Sequence, residues 1–138
     1  MNEILKQVME IAKKMLHEDF KSISRLNVPK NQGVYVIKEK SNRLFKNKIF
    51  YVGKSTNLFN RIIKQHSSNK NKIAGSILRI KLNRKGLKYS EIVDYLNKEC
   101  LFIIQDIRDY DITTLVEDLL IAVLRKRGEP LINEVKSK

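Results

Sequence analysis

Cysteine occurs once in this chain, at Cys100. A lone cysteine excludes an internal disulfide and any thiolate metal cluster built from one copy. Flanked by Leu101 and Phe102, it reads as a small buried hydrophobe, expected in a reducing, cytoplasmic protein. No apolar run approaches the roughly 18 residues that a membrane-crossing helix needs. Internal repeats, low-complexity blocks and Gly/Ser linkers are missing too, so a single domain is expected from the 138 residues. Acidic residues are in short supply, 15 against 28 basic ones, for a formal net charge of +13. So large an excess points to a polyanionic partner, either nucleic acid or an acidic membrane surface. The membrane is the poorer fit. The amphipathic opening stretch mixes Glu3, Glu10, Glu18 and Asp19 with its lysines, which suits a solvated helix better than a lipid-facing one or an import signal.

What is present describes a folded α+β domain. The apolar fraction of 42% argues against disorder. Ile4, Leu5, Val8, Met9, Ala12, Met15 and Leu16 recur at helical spacing, so residues 2 to 20 read as one amphipathic helix. GVYVIK from Gly33 and IFYV from Ile49 are β-rich runs joined by a polar loop, a plausible antiparallel hairpin. Asn57 opens a helix, NLFNRIIKQH; residues 71 to 85 and a stretch from Ser90 are helical in pattern. LFIIQDI at 101 to 107 forms a third strand, and TTLVEDLLIAVLRKR a long helix stopped by Gly128 and Pro130. The expected architecture is a small, mainly antiparallel three-stranded sheet flanked by helices. Within one compact unit, residues 1–28 are expected to form an N-terminal helical extension and 29–138 the main domain.

Gly33-Val34-Tyr35 and Tyr51-Val52-Gly53-Lys54 sit on the two hairpin strands. Arg61 follows ten residues after Tyr51, Glu117 lies on the last helix, and Asn133 comes three residues after Pro130. In this order the chain resembles the GIY-YIG nuclease superfamily, with GVY standing for GIY and YVG for YIG, over roughly residues 30 to 133. The resemblance implies a metal-dependent DNA endonuclease that leaves 5′-phosphate and 3′-hydroxyl ends. Glu117 would bind one Mg²⁺ or Mn²⁺, and Arg61 would polarise the scissile phosphate. Tyr35 or Tyr51, assisted by Lys54, would help deprotonate the attacking water, and Asn133 would anchor the site. Gly33 and Gly53 would be the motif glycines. Many relatives carry His or Tyr four residues beyond the arginine. This chain has Gln65 there and His66 one place later, which makes His66 the candidate for the auxiliary base.

Chemistry agrees with that donor set. A phosphodiester repels nucleophiles, and cleaving it takes charge neutralisation, an activated water and a stabilised leaving oxygen. A carboxylate, a guanidinium and a phenol or amine are the groups that supply them. Each residue also has an ordinary reading. The two tyrosines suit half-buried strands with surface phenols. Lys54 and Arg61 read as solvated cations, and Asn133 as turn chemistry. Thr114 and Glu117 fit a helix capping box, although Glu117 also shares a face with Leu120, Ile121 and Leu124. The run Lys70, Lys72, Arg79, Lys81, Arg84, Lys85 and Lys88 suits a surface that tracks a phosphate backbone. Two functional readings result: an active nuclease on duplex or branched DNA, as monomer or homodimer, or a non-catalytic nucleic-acid-binding module of the same fold. A third has the 2–20 helix recruit a partner.

Overall fold

A computed structural model describes residues 2–66 and 77–133, apart from the side chains of Gln65 and His66. The chain runs α1 (Glu3–Leu16), a 3₁₀ turn (Ile23–Arg25), β1 (Gly33–Glu39), β2 (Ile49–Ser55), a π-helix (Asn60–His66), α2 (Ile77–Arg84), α3 (Tyr89–Lys98), β3 (Cys100–Asp106) and α4 (Tyr110–Lys126). The three strands form one antiparallel sheet in the order β2-β1-β3. This is the α+β arrangement expected from the pattern, with Tyr35 paired to Gly53 across the hairpin and to Ile104 on the other side.

Alternation along the strands gives the sheet two apolar faces. Val34, Val36, Val52 and Ile103 pack under α1 and α4, which contribute Val8, Ala12, Met15, Val116, Leu120 and Leu124. Tyr35, Ile37, Tyr51 and Phe102 face the other way, into a core with Leu58, Ile62, Leu82, Tyr95 and Leu96. The register skips between Ile37, opposite Tyr51, and Lys38, opposite Ile49. Phe50 is therefore the extra residue of a bulge, and it stacks on Phe45 with ring centres 4.3 Å apart. The N-terminal helix is part of the core covering, since Val8, Ala12 and Met15 are all buried.

Several boundaries differ from the expected ones for identifiable reasons. The first helix ends at Leu16, where the His17 amide bonds back to Lys14 and Met15; the following segment leaves to bridge Lys21 to Phe102 on β3. The last helix begins at Tyr110, because Asp109 caps it by accepting from the Ile112 amide at 3.0 Å. Thr114 is consequently inside the helix, and the capping-box reading of Thr114 and Glu117 is overturned. Thr114 Oγ1 instead donates to the Tyr110 carbonyl at 3.2 Å.

Glu39 is a fully buried carboxylate at the end of β1. It accepts from the amides of Leu44 at 2.9 Å and Phe45 at 2.7 Å and from the Tyr95 hydroxyl at 2.5 Å. Burial, then the neighbouring Cys100 and Glu39, push the Tyr95 phenol well above its ordinary range. Burial also raises the Cys100 thiol, which is an inert core group here.

Candidate active site

The hairpin builds the site because its register sets Tyr35 opposite Gly53. Tyr35 has no solvent exposure and Tyr51 only 8%, so the surface-phenol reading of both is overturned. Their rings lie 6.0 Å apart at 42°. The Tyr35 hydroxyl hydrogen-bonds to both Tyr51 and Arg61. Burial, reinforced by Tyr51, holds the Tyr35 proton well above the ordinary phenol value, and Arg61 partly offsets this. A Cβ on Gly53 would overlap the Tyr35 ring and hydroxyl. A Cβ on Gly33 would strike the Gln105 carbonyl and come within 2.8 Å of the Leu58 side chain. The motif glycines are thus clearance for a tyrosine ring and for close strand packing, and neither needs an unusual backbone angle.

Gly53→Ala is accordingly expected to push Tyr35 off its bonds with Tyr51 and Arg61. Overpacking of this kind costs roughly 1–3 kcal/mol, readable as a lower denaturation midpoint. A midpoint unchanged from the parent chain would contradict the close fit.

Arg61 lies near the start of the π-helix, half-buried rather than solvated. Its Nε is buried and finds no acceptor among the described residues. A buried donor without an acceptor costs about 1–3 kcal/mol, and an anionic oxygen would satisfy it. Arg61 lines a small cleft of about 170 Å³ with Lys54, Ser55, Thr56, Tyr110 and Thr113. Lys54 crosses to α4, where its Nζ donates to Thr114 Oγ1 at 2.9 Å and sits 5.1 Å from the Tyr110 ring centre. The cleft therefore joins the end of β2, the π-helix and the first turns of α4. Glu117 is half-buried on α4, one turn beyond Thr113.

Asn133 has a role that turn chemistry does not describe. Its Oδ1 accepts from the Val52 amide at 3.0 Å, and its Nδ2 donates to the Val52 carbonyl at 2.6 Å. One side chain thus pairs with the strand residue between Tyr51 and Gly53. The tail that carries it is tied down by Ile132 N donating to Phe50 O at 2.8 Å, by Arg125 donating to Asn133 O at 2.6 Å, and by Lys81 donating to Ile132 O at 2.7 Å.

Of the proposed backbone-tracking cations, Arg84, Lys85 and Lys88 are exposed. Arg79 is a correction: it is fully buried, with its guanidinium 5.9 Å from the Tyr89 ring centre, and does not belong to an open surface. Lys81 is half-buried and already committed to the tail. Lys70 and Lys72 lie outside the described residues, as does the His66 side chain. Glu39, Arg125 and the Val52 partner of Asn133 went unseen in the sequence, since only contacts far along the chain define them.

Among the described residues, no group of three or more His, Cys, Asp or Glu side chains is placed to hold a metal ion. No match to a curated protein or to a solved structure was found. The family model of the GIY-YIG catalytic domain matches residues 31–103, a span that contains the hairpin, its two tyrosines, the glycine under the Tyr35 ring and Arg61. The match covers more than half of the chain and coincides with the cluster described above, so the chain belongs to the GIY-YIG family.

Proposed function

We propose that this nuclease-family domain is a divalent-cation-dependent DNA endonuclease that leaves 5′-phosphate and 3′-hydroxyl ends. The observation that carries this reading is the buried Tyr35 hydroxyl bonded to both Tyr51 and Arg61, beside a cleft that also receives Lys54. The +13 charge favours a polyanionic substrate. The exposed Arg84 and Lys85 suit contacts to its backbone, which carry affinity without sequence information.

The residues divide the work by their surroundings. Arg61 offers a buried, unsatisfied N–H to a non-bridging phosphate oxygen and withdraws charge from phosphorus. Tyr35 keeps its proton and holds Arg61 and Tyr51 in place. Tyr51, less deeply buried than Tyr35, is the phenol that relays the proton of the attacking water, with Lys54 as a cation of the neighbouring cleft. Asn133 fixes Val52 and hence the positions of Tyr51 and Gly53. Glu117 supplies the protein's anionic ligand for Mg²⁺ or Mn²⁺, whose chemistry when bound is neutralisation of the phosphate and stabilisation of the leaving 3′ oxygen.

Glu117→Gln tests the assignment most directly. Cleavage with Mg²⁺ or Mn²⁺ is expected to fall by about 100-fold or more, with DNA binding in EDTA and the thermal midpoint unchanged. Equal cleavage by the variant would remove Glu117 from the site. Strong, metal-independent binding without cleavage of duplex, flapped or branched DNA by the parent chain would favour a binding module instead.

A further inference from the structure

Six large apolar side chains are exposed among the described residues, and five of them, Ile4, Leu5, Met9, Tyr110 and Leu115, lie on α1 and α4; Met9 lines the space between the two helices. Between these helices runs an open groove of about 590 Å³, floored by Met9, Leu16, Leu119 and Val123 and edged by Lys13 and Arg127. Neither the hairpin nor the Arg61 cleft uses this face. Contiguous exposed apolar surface on a soluble domain marks a contact site.

We infer that this groove takes the α1 helix of a second copy of the chain, in an antiparallel, two-fold dimer. The charges of α1 are what select that occupant. Pairing two α1 helices antiparallel along their Met9 side, with the two-fold axis at the level of residue 8, sets Glu3 level with Lys13 of the second copy and Lys6 with its Glu10. The two-fold axis makes each of these pairs occur twice. Antiparallel helices bring like flanks together, so the charged flank meets its own complement beside the apolar seam. At about 100° per residue, Tyr110, which lines the Arg61 cleft, and Leu119, which lines the groove, lie on opposite sides of α4, so docking leaves each cleft open. The fourteen residues of α1 make a seam of only about 21 Å, which fits micromolar rather than nanomolar affinity.

Long-range repulsion between two chains of charge +13 opposes the dimer. It is screened beyond about 8 Å at physiological ionic strength, whereas apolar burial is not. Added salt therefore tightens the dimer, the reverse of its effect on DNA binding.

Sedimentation velocity of the full chain, up to about 100 µM, tests this without any cleavage assay. A concentration-dependent monomer–dimer equilibrium that shifts toward dimer between 0.15 and 0.5 M salt is the expected result. The Leu5→Glu/Met9→Glu chain stays monomeric with unchanged helical circular dichroism, since both parent side chains are 52% exposed. Glu3→Lys and Lys13→Glu each weaken the dimer by roughly fivefold, and the chain carrying both regains it. A helix-stability explanation predicts the opposite, because both swaps oppose the helix dipole and the combined chain would be the weakest. A parent chain that is monomeric at 100 µM, apolar variants that dimerise like the parent, or no recovery in the combined charge swap each overturn the proposal.

Discussion

Replacing Arg61 by alanine is expected to reduce DNA cleavage by two to three orders of magnitude, on the order of what losing one transition-state donor costs. The cost comes from two places. Arg61 lines the cleft and carries a buried Nε with no acceptor among the described residues, and it is also one of two groups bonded to the Tyr35 hydroxyl. Arg61→Lys should recover little, because an ammonium cannot present the planar fork that reaches a phosphate oxygen and a phenol together. Single-turnover cleavage at saturating protein separates this loss from weaker DNA binding. A rate within threefold of the parent would show that Arg61 is structural only, and the cluster would cease to support hydrolysis.

The largest expected effect on stability belongs to a residue far from the cleft. Glu39→Ala removes the acceptor for two backbone amides and the Tyr95 hydroxyl, all in a fully buried setting. Each orphaned donor costs about 1–3 kcal/mol. Allowing for relaxation of the loop between β1 and β2, a total of roughly 3–5 kcal/mol is expected. Denaturant titration should show the midpoint falling with the slope unchanged. Glu39→Gln, which keeps one acceptor, should fall between the two. If Glu39→Ala lies within 1 kcal/mol of the parent, the carboxylate is not holding the loop.

The sheet and the hairpin were readable because their information is local. Alternating apolar residues and a polar loop define β1 and β2, and the long apolar stripe of α4 survives any choice of partner. The clustering of Tyr35, Tyr51 and Arg61 was readable because they carry the family's spacing. What escaped depends on distant partners. Glu39 ends a strand in a lysine-rich context and looks solvated, until Tyr95 arrives from α3 to receive it. Arg79 sits within a basic run, yet it is buried against Tyr89. Asn133 could be read as a site anchor or as a turn residue, and nothing near it in sequence says that its amide meets Val52. The π-helical winding of Asn60–His66 likewise has no local signature, and it changes which flank Arg61 occupies relative to an ordinary helix.

The Asn133 amide has a consequence for solubility. A three-stranded sheet has two rims, and an unpaired rim is a template on which another molecule can add a strand. On the β2 rim, the Val52 peptide is occupied by Asn133 and the Phe50 carbonyl by Ile132. On the β3 rim, Lys21 exchanges both backbone bonds with Phe102. Growth by strand recruitment is obstructed on both sides, at the cost of a few tethered residues. Loosening of the tail would open the outer rim of β2 at Phe50 and Val52, making tail release the first step toward self-templated aggregation.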